Sequence, residues 1–378
     1  MNYGESIAFI DSLGYKGWKP GLERIQNLLS LIGNPEKKMH CVLIAGTNGK
    51  GSTAAMLSTI LWKAGIKTAR FTSPHLINYN ERFWVNGQTI SDDEFAQLTT
   101  KHKSAILESG ATAFEALTAM AYAFFEENKT EIAVMEIGLG GRLDATNVVV
   151  PLVSIITNVS MEHESWLGNT IEEITREKAG IIKENTPMIT SATGKSLEVI
   201  KDIAEMKHAP LIIPEPINYE INLPGEVQKK NMALAYAAIQ VLRKQFTIPE
   251  SAVKHGLMNV HWPGRLQTIG NFILDCAHTP EAVESILPDI PEGITAIVGM
   301  LKDKKHEKII QLLSQKVSRF IFTQPKSDRA MPAEELAKYC KKPYTIKTTL
   351  EEAMHGNKEL ILIVGSCYIV GEVLKNRV

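Results

Sequence analysis

The sequence holds only four cysteines, Cys41, Cys276, Cys340 and Cys367, and no two stand at the spacing of a zinc site or a redox motif. No apolar run approaches the ~20 residues of a membrane span. Met1 to Asp11 carries acidic residues and lacks a basic-then-apolar leader pattern, so a cytoplasmic location is expected. Charge of one sign is missing too. The formal net charge is −1, which leaves no global field to gather nucleic acid or an anionic membrane surface. Internal repeats and low-complexity segments are also lacking, which excludes a repeat architecture.

What remains is the composition of a soluble globular protein, with 378 residues sufficient for two domains. Short apolar runs alternate with helical patterns. Cys41–Ala45, Lys67–Thr72, Ile132–Ile137, Val153–Val159 and Pro187–Thr190 are expected strands, and Ser52–Ala64 is an expected helix. Cys41 and Cys276 lie in strand-like runs, where a buried thiol is expected. Capping boxes, Ser91 with Glu94 and Thr170 with Glu173, mark two further helix starts. A helix with an Ala-rich apolar face spans roughly Val227–Lys244. The Pro-Gly break in His261-Trp-Pro-Gly-Arg265 reads as the domain boundary. Beyond it a second βα series begins, with strands at Phe272–Cys276, Ala296–Gly299, Arg319–Thr323 and Leu360–Val364. Its helices are expected at Glu281–Leu287, Lys305–Lys316, Pro332–Cys340 and Tyr368–Lys375. Strands that alternate with helices in this way specify a wound, mostly parallel α/β sheet.

The strongest local signal is Ala45-Gly-Thr-Asn-Gly-Lys-Gly-Ser-Thr53, between an expected strand and an expected helix. Glycines let backbone N–H groups converge on phosphate oxygens, and the helix N-terminus adds partial positive charge. Lys50 is then placed over the β- and γ-phosphates, with Ser52 near a metal. Gly46 stands only three positions before Gly49, so the usual four-residue gap is not met. The competing interpretation is a glycine-rich turn that caps an ordinary helix.

Three metal-capable residues fall at or just beyond expected strand ends, where ligands bind in open α/β sheets. They are Ser73, Glu136 and His163, a set compatible with Mg²⁺ although imidazole is an unusual ligand for it. Each also has a plain explanation: a turn at Ser73, a Glu136–Arg142 ion pair, a helix entry at His163. Lys178 is either turned toward the metal edge or a solvated lysine paired with an acid.

Taken in chain order, a series of segments resembles the folylpolyglutamate synthase/dihydrofolate synthase family of the Mur ligase superfamily. They are Gly46-Thr-Asn-Gly-Lys-Gly-Ser52, Thr72-Ser-Pro-His-Leu76, Asn80-Glu-Arg82, Glu136-Ile-Gly-Leu-Gly-Gly-Arg-Leu-Asp-Ala-Thr-Asn147, Leu167-Gly168 and Glu177-Lys-Ala-Gly180. Gln228 with Asn231, Trp262-Pro-Gly-Arg265, Asp275 with Ala277-His278, Arg329-Ala330, Gly365-Ser366 and Gly371-Glu372-Val373 complete it.

The resemblance implies an N-terminal P-loop-type ATPase domain, residues 1–264, carrying the pteroate site. A smaller Rossmann-like C-terminal glutamate-ligase domain, residues 265–378, follows. It implies ATP binding by Thr47, Asn48, Gly49, Lys50, Gly51 and Ser52, completed by Asn231, Arg265 and Asp275. Ser73, Glu136 and His163 match the family's Mg²⁺ ligands, and Lys178 matches a lysine carried as a carbamate. Phe114, Leu143 and Ala145 match the pteroate-binding surface, while Thr112 with Glu115 also fits a capping box. His278 is the candidate base. The implied reaction is ATP-dependent addition of L-glutamate to a folate or dihydropteroate through an acyl phosphate, by a monomer. Departures from the family's pattern stand at Glu162, Val227, Cys276 and Thr279, and the chain is shorter between Thr190 and Asn222. Two alternatives stand beside this one: a Mur-type ligase for a different carboxylate, and a nucleotide-binding ATPase without ligase activity.

Overall fold

Cys41 to Ala45 contains only apolar side chains, and all five are buried, as a parallel strand covered on both faces demands. It forms most of β1 (His40–Ala45) in an eight-stranded sheet. The others are β2 (Thr68–Phe71), β3 (Phe83–Val85), β4 (Gln88–Thr89), β5 (Ile132–Glu136), β6 (Val153–Ile156), β7 (Met188–Thr190) and β8 (Leu211–Ile212). The order is β4-β3-β2-β5-β1-β6-β7-β8. All pairings are parallel except β2 with β3 and β3 with β4, which form an antiparallel edge. The computed structural model describes residues 1–14 and 20–376.

The helix Lys50–Lys63 follows β1, and every residue from Gly51 to Leu61 is buried. Small side chains such as Ala54, Ala55 and Ser58 on this helix permit close packing on all its faces. The predicted capping boxes form at Ser91–Glu94 and Thr170–Glu173. A third, Thr112 with Glu115, opens the helix Ala113–Glu127, whose Tyr122 and Phe125 are fully buried in the core. Burial of each such ring stabilises the fold by about 1.5–3 kcal/mol relative to exposure.

A second sheet contains β9 (Gln267–Ile269), β10 (Phe272–Leu274), β11 (Ile294–Val298), β12 (Val317–Phe322), β13 (Tyr344–Ile346) and β14 (Ile361–Val364). Its order is β13-β12-β11-β14-β10-β9, parallel except for β9 with β10. Helices Pro280–Ile286, His306–Leu313, Ala333–Ala337 and Cys367–Lys375 alternate with these strands. The chain thus divides into two units: Met1–Asn222 with Lys230–Val260, and Leu223–Lys229 with His261–Val378. Each is an α/β unit with its own sheet, and the fold class matches the expectation.

Several details correct the sequence reading. β6 ends at Ile156, three residues earlier than expected, because Thr157 and Asn158 turn out to hold the neighbouring loop. β10 ends at Leu274, so Cys276 sits in a loop, although its thiol is buried as expected. Among the described residues no helix is long and apolar enough to cross a membrane.

Candidate active site

The first unit places its candidate residues at the carboxyl ends of β1, β2 and β5, and beyond the end of β6. Gly46 leaves β1 with φ +142°, and a Cβ there would lie 1.9 Å from Thr157 Oγ1. Gly49 has φ +86°, and a Cβ would lie 2.3 Å from the side-chain oxygen of Asn231. Both positions therefore require glycine. Between them the loop is fastened from the end of β6. Asn48 N–H donates to Asn158 Oδ1 at 3.0 Å, and Asn158 Nδ2 donates back to Asn48 O at 3.0 Å. Thr157 Oγ1 donates to the same carbonyl at 2.6 Å. Gly49 ends the loop as the N-cap of helix Lys50–Lys63, with no side-chain cap bond. The helix thus presents its first N–H groups without a capping side chain, as an anion site needs.

Lys50 curls back over this loop, its Nζ donating to Gly46 O at 3.1 Å and Thr47 O at 3.2 Å. Lys178, buried on helix Ile171–Ala179, also donates to Gly46 O, at 3.0 Å. Burial, reinforced by the Lys50 ammonium, lowers its pKa to about 7, with Glu162 opposing the shift. Lys178 is therefore not a solvated lysine. Glu162 Oε1 lies 3.6 Å from His163 Nε2, which links His163 to the same neighbourhood. His163 itself has φ +55° and caps the short helix Glu164–Leu167.

Glu136 ends β5 opposite Ile44 of β1, and its Oε2 accepts from Ser73 N–H at 3.1 Å. The ion pair considered for Arg142 goes to Glu177 instead, at 2.8 Å. Behind Glu136 lies Arg70, a buried guanidinium stacked on Trp84 with its carbon 4.8 Å from the ring centre. Burial lowers the Arg70 pKa to about 10, and the charge of Glu136 opposes that shift.

Among the described residues no group of three or more His, Cys, Asp and Glu side chains is arranged to hold a metal. A cation here would have to take hydroxyl and phosphate oxygens, as Mg²⁺ does. Ser52 Oγ fits that demand: it is buried and has no hydrogen-bond partner.

The expected pteroate surface divides. The Phe114 ring is partly buried against Phe71, with centroids 6.0 Å apart, and rests on Gly138. Leu143 is half-buried, whereas Ala145 belongs to the hydrophobic core. Asp144 between them shapes the loop, its carboxylate accepting from Gly138 N–H, Leu139 N–H and Thr146 N–H. Thr112 is a helix cap, and its partner Glu115 also binds Arg24 at 2.9 Å.

In the second unit, the buried Asp275 accepts from Leu266 N–H and Ala277 N–H at 2.9 and 2.8 Å. Burial pushes its carboxyl up, and the Arg265 guanidinium opposes this. His278 Nδ1 lies 2.8 Å from Cys276 O. Sequence reasoning missed Asn158 and Thr157. Their only signal was position, near the end of an expected apolar strand.

Residues 44–213 match the Mur ligase middle domain, and residues 264–367 match the Mur ligase glutamate ligase domain. The dihydrofolate synthase/folylpolyglutamate synthase of Bacillus subtilis is 36% identical over 411 residues, covering 95% of each chain. The crystal structure of Thermotoga maritima folylpolyglutamate synthase superposes with a TM-score of 0.86 at 31% identity, covering 99% of this chain and 96% of that one. Escherichia coli FolC in complex with DHPP and ADP gives 0.90 at 28% identity, covering 100% and 98%. The chain belongs to the dihydrofolate synthase/folylpolyglutamate synthase family, the ATP-dependent carbon–nitrogen ligases of the Mur ligase group.

Proposed function

We propose that this chain adds L-glutamate to a folate, to dihydropteroate or to both, through an acyl phosphate made at the expense of ATP. The observation that carries this is the meeting of Lys50 and Lys178 on the Gly46 carbonyl, at the edge where Glu136 holds Ser73. Two cations beside a fastened glycine loop suit a triphosphate and a carboxylate about to receive phosphate.

In this reaction Thr47 to Ser52 cradle the phosphates of ATP, and Lys50 neutralises charge spreading over the transferring group. Asn231 braces the loop at Gly49. Ser52, Ser73, Glu136 and His163 are the proposed holders of Mg²⁺, which when bound supplies further neutralisation of phosphate charge. Lys178, with a pKa near 7, has the neutral amine that carbamylation by carbon dioxide requires. As a carbamate it becomes an anion facing the same site. Phe114 and Leu143 contact the pteridine acceptor, with Ala145 supporting them from the core.

From the C-terminal glutamate-ligase domain, residues 265–378, Arg265 and Asp275 serve the nucleotide. His278 takes the proton that the glutamate ammonium must lose before its amine attacks the activated carbonyl. Residues 1–264 carry the ATP and pteroate functions. The enzyme acts as a cytoplasmic monomer, which sedimentation at assay concentration tests.

Phosphate release from ATP plus glutamate, assayed separately with dihydropteroate and tetrahydrofolate, tests the assignment. Release with either acceptor supports it. Release only with a cell-wall precursor favours the other Mur-type reaction, and acceptor-independent release favours a plain ATPase.

A further inference from the structure

Cys276 and Cys367 are far apart in the chain, and the topology of the second sheet joins them. β10 and β14 are parallel neighbours, with Leu274 opposite Ile363. Just beyond their ends the pairing continues: Asp275 N–H donates to Ile363 O at 3.0 Å, and Gly365 N–H donates to Ala277 O at 3.1 Å. Cys276 follows β10 by two residues and Cys367 follows β14 by three, so both side chains reach the same edge. There the two thiols lie close enough for each to shift the ionisation of the other. The Arg265 guanidinium is a neighbouring charge to the Cys276 sulfur.

The surroundings divide the pair into unlike partners. Cys367 is half-buried and opens the nine-residue helix Cys367–Lys375. The neighbouring Cys276 thiol, together with the His278 and Arg265 charges, favours its thiolate against the cost of burial. Cys276 is buried, and the neighbouring Cys367 sulfur together with burial holds it as a thiol. The remaining cysteines lack this chemistry. Burial pushes Cys41 up to about 12, and it raises Cys340 as well. A partly exposed thiolate beside a protonated second thiol is the arrangement that reacts with peroxides and then resolves itself.

We infer that Cys276 and Cys367 form a peroxide-reactive dithiol that closes reversibly to an intramolecular disulfide. The Cys367 sulfur attacks one oxygen of hydrogen peroxide, the O–O bond breaks, and water leaves with a solvent proton. The resulting sulfenic acid is attacked by the Cys276 sulfur. A second water departs, carrying the Cys276 proton, as the S–S bond forms. Two thiols lose two electrons and one peroxide gains them. The disulfide takes the Cys276 thiol away from Arg265 and ties down the loop that carries Asp275 and His278. The chemistry itself does not depend on the ligase assignment.

The test uses the full chain, reduced, desalted and treated with equimolar hydrogen peroxide near neutral pH. Intact mass and peptide maps after alkylation with iodoacetamide are the readout. The expected result is loss of two hydrogens, a crosslinked pair of peptides holding Cys276 and Cys367, and normal alkylation of Cys41 and Cys340. Dithiothreitol should restore both thiols. In Cys276→Ser, Cys367 should stop at the sulfenic acid and be trapped by dimedone. In Cys367→Ser, Cys276 should stay unreacted over the same interval. Circular dichroism verifies that both variants are folded. Full alkylation of Cys276 and Cys367 after peroxide would overturn the inference. So would a crosslink to Cys340, or a folded Cys276→Ser protein that yields no dimedone adduct.

Discussion

Lys50 and Lys178 donate to one and the same carbonyl oxygen, that of Gly46, at 3.1 and 3.0 Å. Two ammonium groups so close together repel each other, and one of them, Lys178, is buried. The arrangement is stabilised when an anion arrives, either as phosphate or as a carbamate made on Lys178 itself.

Lys50→Ala should therefore lose roughly 3 kcal/mol of transition-state stabilisation, on the order of a hundredfold in kcat, as deletion of one preorganised electrostatic group does. Steady-state phosphate release measures it. Near-normal turnover would remove the loop from the chemistry.

Lys178 makes a prediction about pH. Its folded pKa is depressed to about 7 from an ordinary 10.5, so between these values the unfolded chain binds the extra proton. Stability contributed by this site then rises with pH across that window, and the penalty is complete below about pH 7. In buffer freed of carbon dioxide, Lys178→Met should raise the melting temperature most below neutrality. The gain should shrink toward pH 10, at about 2–4 °C for each kcal/mol relieved. Activity should be lost at every pH. A melting difference independent of pH would contradict this.

Asn158→Ala removes both side-chain bonds to the Asn48 backbone. The Asn48 carbonyl keeps Thr157, but leaving the Asn48 N–H without a partner costs about 1–3 kcal/mol, so ADP should bind about tenfold or more weakly. Calorimetric titration reads this directly, and an unchanged Kd would show that the loop needs no clamp.

Thr112 and Phe114 should separate by phenotype. Thr112→Ala breaks the capping box with Glu115 and should cost about 1 kcal/mol of stability with KM unchanged. Phe114→Ala should raise KM for the pteridine acceptor while leaving KM for ATP alone. Denaturant melts alongside kinetics distinguish them, and a raised acceptor KM in Thr112→Ala would give that residue a binding role.

The parallel strands were legible in the sequence because they are buried on both faces and read as unbroken apolar runs: Cys41–Ala45, Ile132–Met135, Ile361–Val364. Short edge strands were not. β4 has two residues, both exposed, and β13 exposes Tyr344 and Ile346, so neither carries a pattern. The phosphate loop was legible because its signal is local. Its fastening by Thr157 and Asn158 was hidden, since those partners lie just beyond another strand, more than a hundred residues away. The thiol pair was hidden for the same reason: spacing suggested scattered cysteines, and only the adjacency of β10 and β14 brings Cys276 to Cys367. Lys178 stood in between. Its burial beside Lys50 is a tertiary fact that no helical periodicity encodes.

Transfer of the γ-phosphoryl group to the acceptor is tested most directly with ¹⁸O in the acceptor carboxylate. If an acyl phosphate forms and glutamate displaces it, the inorganic phosphate released in a single turnover carries one ¹⁸O from that carboxylate. Phosphate free of label, with the isotope retained in product, would contradict the reaction proposed for this chain.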